Sequence, residues 1–214
     1  MKPAARFALP DYAELWSLSN FSFLRGASHP HELVERAHSQ GYRALALTDE
    51  CSLAGIVRAH VAAQACGLPL LVGAQFQVRS SDGQAPDFTL IALACNLHGY
   101  GNLCAFITQL RRNAPKGSYQ LAQAAIKSRA LQDCVLLAAP ARSANAEQTQ
   151  ALAHWLQTLF AGRCWLAVHL DRSLGDEAWL LQLRHTSRAS GVPLVAAGDV
   201  HMHVRSRKPL QDVI

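Results

Sequence analysis

The chain has 214 residues, of which 50% are hydrophobic and 16% charged, and this balance is typical of a compact globular protein rather than a disordered one. Its longest apolar runs are far shorter than a membrane span, and residues 1–12 lack the continuous apolar core of a secretory signal, so we expect a cytoplasmic protein. The formal net charge of +5 permits contact with nucleic acid or an acidic partner but does not require it.

Strand and helix patterns alternate along the first half of the chain. A strand is expected at about 12–19, and the next segment has helical spacing, with Pro30 in its first turn and Gly41 at its end. The apolar run at 43–49 indicates a strand buried on both faces. The further predicted elements are a helix at 53–67, strands at 68–78 and 87–96 with a turn at 79–86 between them, and helices at 100–112 and 119–128.

The second half continues the alternation. The predicted elements are strands at 134–140, 164–170 and 192–201, helices at 146–160 and 176–191, and the opening turns of a helix at 206–214. About seven strands alternating with helices predict an α/β fold with a largely parallel sheet. The sheet is either closed as a barrel or open and doubly wound.

The six cysteines are scattered through apolar segments without any CxxC pair. This spacing argues against a zinc ribbon and against a disulfide framework. We therefore expect most of them to be reduced thiols that pack in or near the core.

Polar side chains follow most of the predicted strands, and in β/α barrels the loops after the strands build the active site. The first strand instead offers Trp16 and Leu18, followed by Asn20 and Arg25. The residues that follow the later strands are Thr48, Asp49 and Glu50, then Gly73, Ala74 and Gln75, then Asn96 and His98, then His169, and finally Asp199, His201 and His203.

Two of these groups have the spacing of metal ligands. Asp199 and His201 are two residues apart, so in a strand a carboxylate and an imidazole would face one cation together. Alternatively, Asp199 caps a turn and His201 binds a backbone group. Asp49 and Glu50 are either a ligand pair or a helix N-cap followed by an acid in the first turn.

The segments "ELWSLSNFSFLRGASHP", "ALALTDECSLAG", "LLVGAQF", "LHGYGNLC" and "AAGDVHMHVRSRKPLQD" resemble, in order, the PHP domain that opens bacterial C-family replicative polymerases. The error-prone branch, used in damage-induced translesion synthesis, is the most similar. The resemblance implies a distorted seven-stranded β/α (TIM-like) barrel. It also implies a barrel domain at 1–204, with 205–214 starting a helix that leads towards an absent polymerase core, so the chain is expected to be an N-terminal fragment.

The resemblance also implies that the metal site of this family has been overwritten. The His-x-His of the family's first motif falls on Trp16 and Leu18, and a following acidic residue falls on Arg25. The histidine of "TDH" is replaced by Glu50, beside Asp49, and the glutamate of "GAE" is replaced by Gln75, whereas Asp199 and His201 match the last motif.

The chemistry of the substituted residues agrees with this implication. Indole and isobutyl groups offer no lone pair to a cation, and a guanidinium adds positive charge where a metal needs negative charge. Asp199 and His201 leave two ligands, or three if Glu50 or Asp49 is counted, whereas a catalytic metal normally has three protein ligands and an open position. We therefore expect a weak or unoccupied metal site and no catalytic residue.

The main hypothesis is a structural module of an error-prone DNA polymerase. The parent would use Mg²⁺ held by carboxylates in a palm domain that does not fit within this chain, which itself needs no cofactor. The expected partners are the polymerase core, DNA through the parent, and other translesion-synthesis proteins. The basic residues Arg205, Arg207 and Lys208 would lie near the junction and contact the core or nucleic acid, although a solvated face is the commoner explanation of such clusters.

Two other functions stay open. The first is a metal-dependent phosphoesterase with Zn²⁺ or Mn²⁺, built from Asp49, Glu50, His169, Asp199, His201 and His203. The second is a nucleic-acid-binding module, for which the charge balance is the sole support. If the main hypothesis holds, Trp16 and Leu18 should face the mouth of the barrel. Asp199 and His201 should be neighbours on the last strand, with Asp199 satisfied by backbone donors or by Arg25.

Overall fold

The computed structural model describes residues 11–80 and 85–213, so residues 1–10 and part of the predicted turn at 79–86 lie outside the described ranges. The strands are β1 (Ala13–Glu14), β2 (Ala44–Leu47), β3 (Leu70–Val78), β4 (Phe88–Ala94), β5 (Cys134–Pro140), β6 (Cys164–Val168) and β7 (Leu194–Ala196). The helices are α1 (Pro30–Ser39), α2 (Ile56–Cys66), α3 (Leu97–Arg112), α4 (Ala146–Phe160), α5 (Asp176–Ser190) and α6 (Lys208–Val213). Short 3-10 helices occupy Gln123–Ala125 and Arg205–Arg207.

The seven strands form one sheet in which each strand neighbours the next along the chain. Beyond the named strands, Ser17 forms a parallel bridge with Val200, so the segments that follow β1 and β7 meet. The Val200 N–H donates to the Trp16 carbonyl at 2.9 Å, and the Leu18 N–H donates to the Val200 carbonyl at 2.8 Å. The sheet therefore curls into a distorted seven-stranded barrel with outer helices, which confirms the predicted fold class.

Strand β4 runs against both of its neighbours, β3 and β5, while the other adjacent pairs are parallel. The register pairs Val78 with Phe88, so only nine residues separate the paired ends of these two antiparallel strands. Two parallel strands would need a crossover of a dozen residues or more. The carboxyl end of β4 thus lies at the opposite end of the barrel from the ends of β2 and β3.

The direction of β4 makes the expectation for Asn96 and His98 wrong. Asn96 caps α3 by accepting a hydrogen bond from the Gly99 N–H at 2.9 Å, and His98 is exposed on the first turn of that helix. Cys95 donates its N–H to the carbonyl of Asp133, which precedes β5. Both expected mouth residues therefore lie at the amino end of the neighbouring parallel strands.

Helix α4 has the predicted bounds because its signals are local. Asn145 accepts from the Gln148 N–H at 2.9 Å, and the Gln148 side chain accepts from the Asn145 N–H at 3.1 Å, which forms a capping box. The buried face of the helix repeats at helical spacing and consists of Thr149, Leu152, Ala153, Leu156 and Phe160.

The helix predicted at 119–128 is wrong. Arg79, just beyond β3, forms a parallel bridge with Ala122, and its N–H donates to the Leu121 carbonyl at 2.9 Å. Only Gln123–Ala125 turns as a 3-10 helix. The apolar spacing of this segment suits a helix, but pairing with the end of β3 takes its backbone groups instead.

The strands divide their side chains between the barrel interior and the helix layer. One buried cluster contains Trp16 together with Ala46, Ile91, Leu93, Leu137, Ala167 and Ala197, which are contributed by successive parts of the sheet. Their sequence neighbours Leu45 and Leu47 pack with α1 and α2 residues, while Leu136 and Leu166 pack in a further cluster with α4. This alternation with period 2 defines the two faces of a barrel wall.

The six cysteines are free thiols, as their spacing predicts. Cys51, Cys134 and Cys164 are buried, whereas Cys95 is exposed. Burial raises the pKa of the Cys51 thiol to about 11, so this group stays protonated near neutral pH. In the described ranges, no helix is both long and apolar enough to cross a membrane.

Candidate functional site

A chain of polar contacts fills the place where the resemblance sets the metal cluster. The Trp16 indole N–H donates to the Gln75 side-chain carbonyl, and the Gln75 amide donates to Glu50 Oε2. Arg25 Nη1 lies 2.7 Å from Glu50 Oε2, and the Tyr119 hydroxyl donates to Glu50 Oε1. We call these five residues the Glu50 network. Four of them are site residues that the resemblance selects from three separate segments, and the fold brings them together.

Backbone pairing between the ends of β2 and β3 positions the centre of this network. Glu50 forms a parallel bridge with Gln75, the Cys51 N–H donates to the Gln75 carbonyl at 2.9 Å, and the Gln75 N–H donates to the Asp49 carbonyl at 3.2 Å. Gln75 is fully buried, and Trp16 is 4% exposed within the barrel-interior cluster. The Glu50 carboxylate therefore receives an amide, a guanidinium and a phenol at fixed positions.

Tyr119 is the network member that the sequence did not reveal. Its oxygen also accepts from the Gln77 N–H at 2.7 Å, and the Arg111 guanidinium lies 5.5 Å from the centre of its ring. Burial, and then the charge of Glu50, raise the pKa of the Tyr119 hydroxyl, so it remains a neutral donor. The sequence pattern predicted a helix at 119–128, and a residue on that helix would not be expected to reach Glu50 at the barrel mouth.

Asp49 anchors the loop formed by residues 19–28. Its Oδ1 accepts from the Ser19 N–H at 2.8 Å and from the Ser22 hydroxyl at 2.7 Å, and its Oδ2 accepts from the Ser19 hydroxyl at 2.7 Å. Burial raises the pKa of the Asp49 carboxyl, and the serine donors oppose that rise. The interpretation of Asp49 as a helix cap is wrong, since α2 begins seven positions later at Ile56 with Gly55 before it.

Asp199 and His201 lie together, with Nε2 3.0 Å from Oδ1. They follow β7 rather than forming part of it, and Asp199 has a φ of 46°, so the predicted strand geometry is wrong although the predicted proximity holds. The Arg25 guanidinium contacts Glu50 rather than Asp199. The histidine therefore takes the role that was expected of the arginine.

The His169 ring packs against the Trp16 ring. The two rings meet edge to face, with their centroids 5.8 Å apart, and His169 Nε2 is 2.8 Å from Asp171 Oδ1. Trp16, His169 and Asp199 together line a cavity of about 250 Å³ at this mouth. Leu18 is fully buried but does not line that cavity.

His203 belongs to a separate cluster beside α1. Its Nδ1 is 2.7 Å from the Ser28 hydroxyl and 3.7 Å from Glu32 Oε2, and Arg207 Nη2 is 2.6 Å from Glu32 Oε1. Lys208 pairs within α6 with Asp212, while Arg205 is exposed. The basic residues after 204 are thus divided between contacts within the domain and solvent.

Glu14 joins the first and last strands and was not selected from the sequence. It is 2% exposed, and its Oε1 accepts from the Trp16 N–H at 2.9 Å and the Gly198 N–H at 2.8 Å, while its Oε2 accepts from the Tyr12 hydroxyl at 2.9 Å. A Cβ at position 198 would lie 2.3 Å from Glu14 Oε2, so any larger residue there would displace the Glu14 carboxylate from these donors. Burial raises the pKa of the Glu14 carboxyl.

The residues at this mouth do not fit a catalytic metal centre. Across residues 11–80 and 85–213, no group of three or more His, Cys, Asp or Glu side chains is arranged to hold a metal ion. Both oxygens of Glu50 accept hydrogen bonds from the network, and Arg25 places a fixed positive charge against it. The donor set therefore favours an internal ion pair over a cation.

The comparisons with known proteins agree with the fold. The PHP domain profile matches residues 15–168. The chain belongs to the PHP domain family. It is similar to the error-prone DNA polymerase of Dechloromonas aromatica, with 51% identity over 211 residues, which cover 97% of this chain and 20% of the relative. The corresponding values for the error-prone DNA polymerase of Ralstonia nicotianae are 46% identity over 214 residues, 96% and 20%. This PHP domain thus spans about a fifth of the length of these relatives.

Two solved structures share the fold at low identity. An amidohydrolase from Chromobacterium violaceum, with bound sulfate and no metal, aligns with a TM-score of 0.69 and 18% identity over 89% of this chain and 87% of its own. A candidate metal-dependent phosphoesterase from Bifidobacterium adolescentis aligns with a TM-score of 0.61 and 17% identity over 90% and 88%. At such identities the likeness concerns the PHP fold alone.

Proposed function

We propose that this PHP domain is the N-terminal domain of an error-prone DNA polymerase and that it acts there as a structural module. The observation that carries the proposal is the identity of 51% with a polymerase relative over nearly the whole chain. The Glu50 network supports the structural role, because its side chains bind one another in place of a metal. We also propose that the barrel domain ends near residue 204, where a helix leading towards the polymerase core begins.

The parent protein would carry out template-directed nucleotidyl transfer in the cytoplasm during the response to DNA damage. The Mg²⁺ for that reaction would be held by palm carboxylates outside this chain. The partners of the domain would be the polymerase core and, through it, DNA. Arg205 and Lys208 are exposed near the end of the domain and suit a contact with that core.

The polymerase assignment is tested with a chimera in which this chain replaces the matching region of the Dechloromonas aromatica polymerase. We expect the chimera to extend a primed template, and a control without the matching region to extend it at least tenfold less. The isolated chain should incorporate no nucleotide. A chimera no better than the deletion control would contradict the assignment, as would template-dependent extension by the repurified chain alone.

A second candidate function is metal-dependent phosphoester hydrolysis. The cavity that Trp16, His169 and Asp199 line, with His201 beside Asp199, would have to hold the metal, although the described residues form no group of three ligands there. The decisive measurement is the metal content of protein purified without added metal, together with hydrolysis of a generic phosphodiester. Stoichiometric zinc, manganese or iron that is lost in Asp199→Ala together with activity would replace the structural proposal with this one.

A further inference from the structure

The loop at 19–28 holds two large apolar side chains in solvent. Phe23 is 81% exposed and Leu24 is 77% exposed. Scattered apolar residues on a surface need no explanation, but two adjacent ones at the tip of a loop do when the loop cannot turn them inward. These two exposed side chains therefore indicate a binding surface only if the loop backbone is held in place.

Hydrogen bonds along its length fix the loop. Besides its anchors to Asp49, it has the Asn20 N–H donating to Ser28 at 2.8 Å and the Gly26 N–H donating to Ser22 at 3.0 Å. A Cβ on Gly26 would lie 2.0 Å from the Ser19 carbonyl oxygen, so the two arms touch. The loop thus presents Phe23 and Leu24 in a fixed position.

Leu24 also has a φ of 61°, a region that non-glycine residues rarely occupy. Such strain persists only where the surrounding structure determines it, and it concentrates at functional positions. In this loop the strain turns an apolar side chain outward, where it gains no burial within the domain. Because no burial of Leu24 within the domain offsets this backbone strain, a binding partner outside the domain is the expected contact.

An open groove of about 360 Å³ lies beside the two side chains. It is lined by both of them and also by Arg207 and Leu210. Leu210 is 42% exposed, Val213 one turn further along α6 is 80% exposed, and α6 has no buried residue. We call Phe23, Leu24, Leu210 and Val213 the docking surface.

One buried polar atom at this groove also lacks a partner. Asn20 lines the groove, and within the described residues its Oδ1 is buried without a hydrogen bond. Buried acceptors are normally satisfied, and an exception needs an explanation. A donor brought by an incoming segment, after a small shift of the amide, would supply one.

We propose that the docking surface binds the polymerase region of the full-length protein, which rests on the proposed function. The matched relatives are about five times as long as this chain, so a large partner would be tethered to the domain. A tethered partner is present at a high effective concentration, so the polymerase region would occupy this surface ahead of a second free chain. The partner surface would be apolar, with a hydrogen-bond donor opposite Asn20.

The test uses the chimera with the Dechloromonas aromatica polymerase, carrying a specific protease site at the junction. After cleavage the two pieces are separated by size-exclusion chromatography. We expect the unmodified pieces to co-elute, and Phe23→Ser with Leu24→Ser to weaken their association at least tenfold. The matched control is Leu174→Ser, which removes a fully exposed leucine from another loop. Melting of the isolated domain should be the same for all three proteins, because the altered side chains are solvent-exposed.

The outcomes are separable. Co-elution that survives the double substitution overturns the proposal, and so does separation of the unmodified pieces. A dimer of the isolated domain that the double substitution abolishes would make a second copy the occupant and also overturn it. Primer extension by the uncleaved, unmodified chimera tests the polymerase assignment independently. A chimera that extends primers but whose pieces separate would therefore refute the docking surface alone.

Discussion

The indole of Trp16 donates its N–H to the side chain of Gln75, 59 positions further along the chain. Both residues stand where the PHP resemblance places metal ligands, and they now bind each other. The Gln75 amide in turn donates to Glu50, and the Arg25 guanidinium balances the charge of the Glu50 carboxylate. These positions thus form a network of their own, with donors and acceptors matched.

Restoring the two histidines of the first motif should not restore a metal site. Trp16→His with Leu18→His leaves Arg25, Glu50 and Gln75 unchanged, and the guanidinium still opposes a cation. We expect no stoichiometric zinc or manganese by elemental analysis and no phosphodiester hydrolysis. The comparison is a variant with five substitutions, which adds Arg25→Asp, Glu50→His and Gln75→Glu to the two histidines. Metal binding should increase in this variant. Tight binding by the double variant alone would refute the inhibitory role of the network.

Removing the centre of the network should cost more stability than removing its cation. Glu50→Ala leaves the Gln75 amide and the Tyr119 hydroxyl without an acceptor, and we expect a loss of about 2–4 kcal/mol. Arg25→Ala should cost about 1 kcal/mol or less, because its side chain is 32% exposed and solvent screens the pair. Urea unfolding of both single variants and of the double variant measures this. Equal costs for the two single substitutions would mean that the ion pair, not the neutral donors, dominates.

Stability should fall as the pH rises above about 4.5 because of Glu14. Its pKa is raised from 4.5 by burial, so the folded state holds a proton that the unfolded state has released. The stabilising contribution of protonation is complete below pH 4.5 and disappears as the pH passes the raised folded pKa. Asp49, raised from 3.8, acts in the same direction.

Glu14→Gln should reduce this decline, since a glutamine oxygen can still accept from Trp16 and Gly198. The free-energy gap between this variant and the unmodified protein should therefore grow in favour of the variant from pH 4.5 upwards. Glu14→Ala should instead lose about 2 kcal/mol or more by leaving those donors unpaired. Denaturant unfolding at several pH values provides the measurement, with the exposed Glu35→Gln as control. A pH profile unchanged by Glu14→Gln would contradict the prediction.

Asp199 should tolerate asparagine better than alanine. Its backbone has a φ of 46°, which asparagine adopts more readily than alanine, and an asparagine oxygen can still face His201. We expect Asp199→Ala to destabilise the fold by about 1–2 kcal/mol and Asp199→Asn by less than about 1 kcal/mol. Thermal and urea unfolding distinguish the two. If asparagine proved as costly as alanine, the carboxylate charge itself would be the important feature.

The sequence predicted the elements whose signals are local. The bounds of α4 follow from a capping box and an apolar stripe that lie within the same fifteen residues. The direction of β4 was also encoded, because residues 79–87 are too few for a parallel crossover, but the alternating pattern favoured a parallel interpretation. The segment at 119–128 shows the opposite case, where a partner far along the chain overrides local spacing.

The site was predictable as positions but not as contacts. Motif alignment selected Trp16, Arg25, Glu50 and Gln75, yet their hydrogen bonds depend on a fold that brings three separate segments together. Tyr119 and Glu14 have no motif to mark them. A single carboxylate in a two-residue strand carries no periodic signal, and its importance comes from donors at both edges of the sheet.

The contact between Glu14 and Gly198 joins groups 184 positions apart. During synthesis on the ribosome, the Glu14 carboxylate can therefore accept from the Gly198 N–H only after almost the whole domain has been made. Contacts of such large sequence separation form slowly, and an unpaired strand edge is open to other chains until they do. Nascent chains released before residue 198 should therefore aggregate or require a chaperone, whereas those released after residue 200 should not.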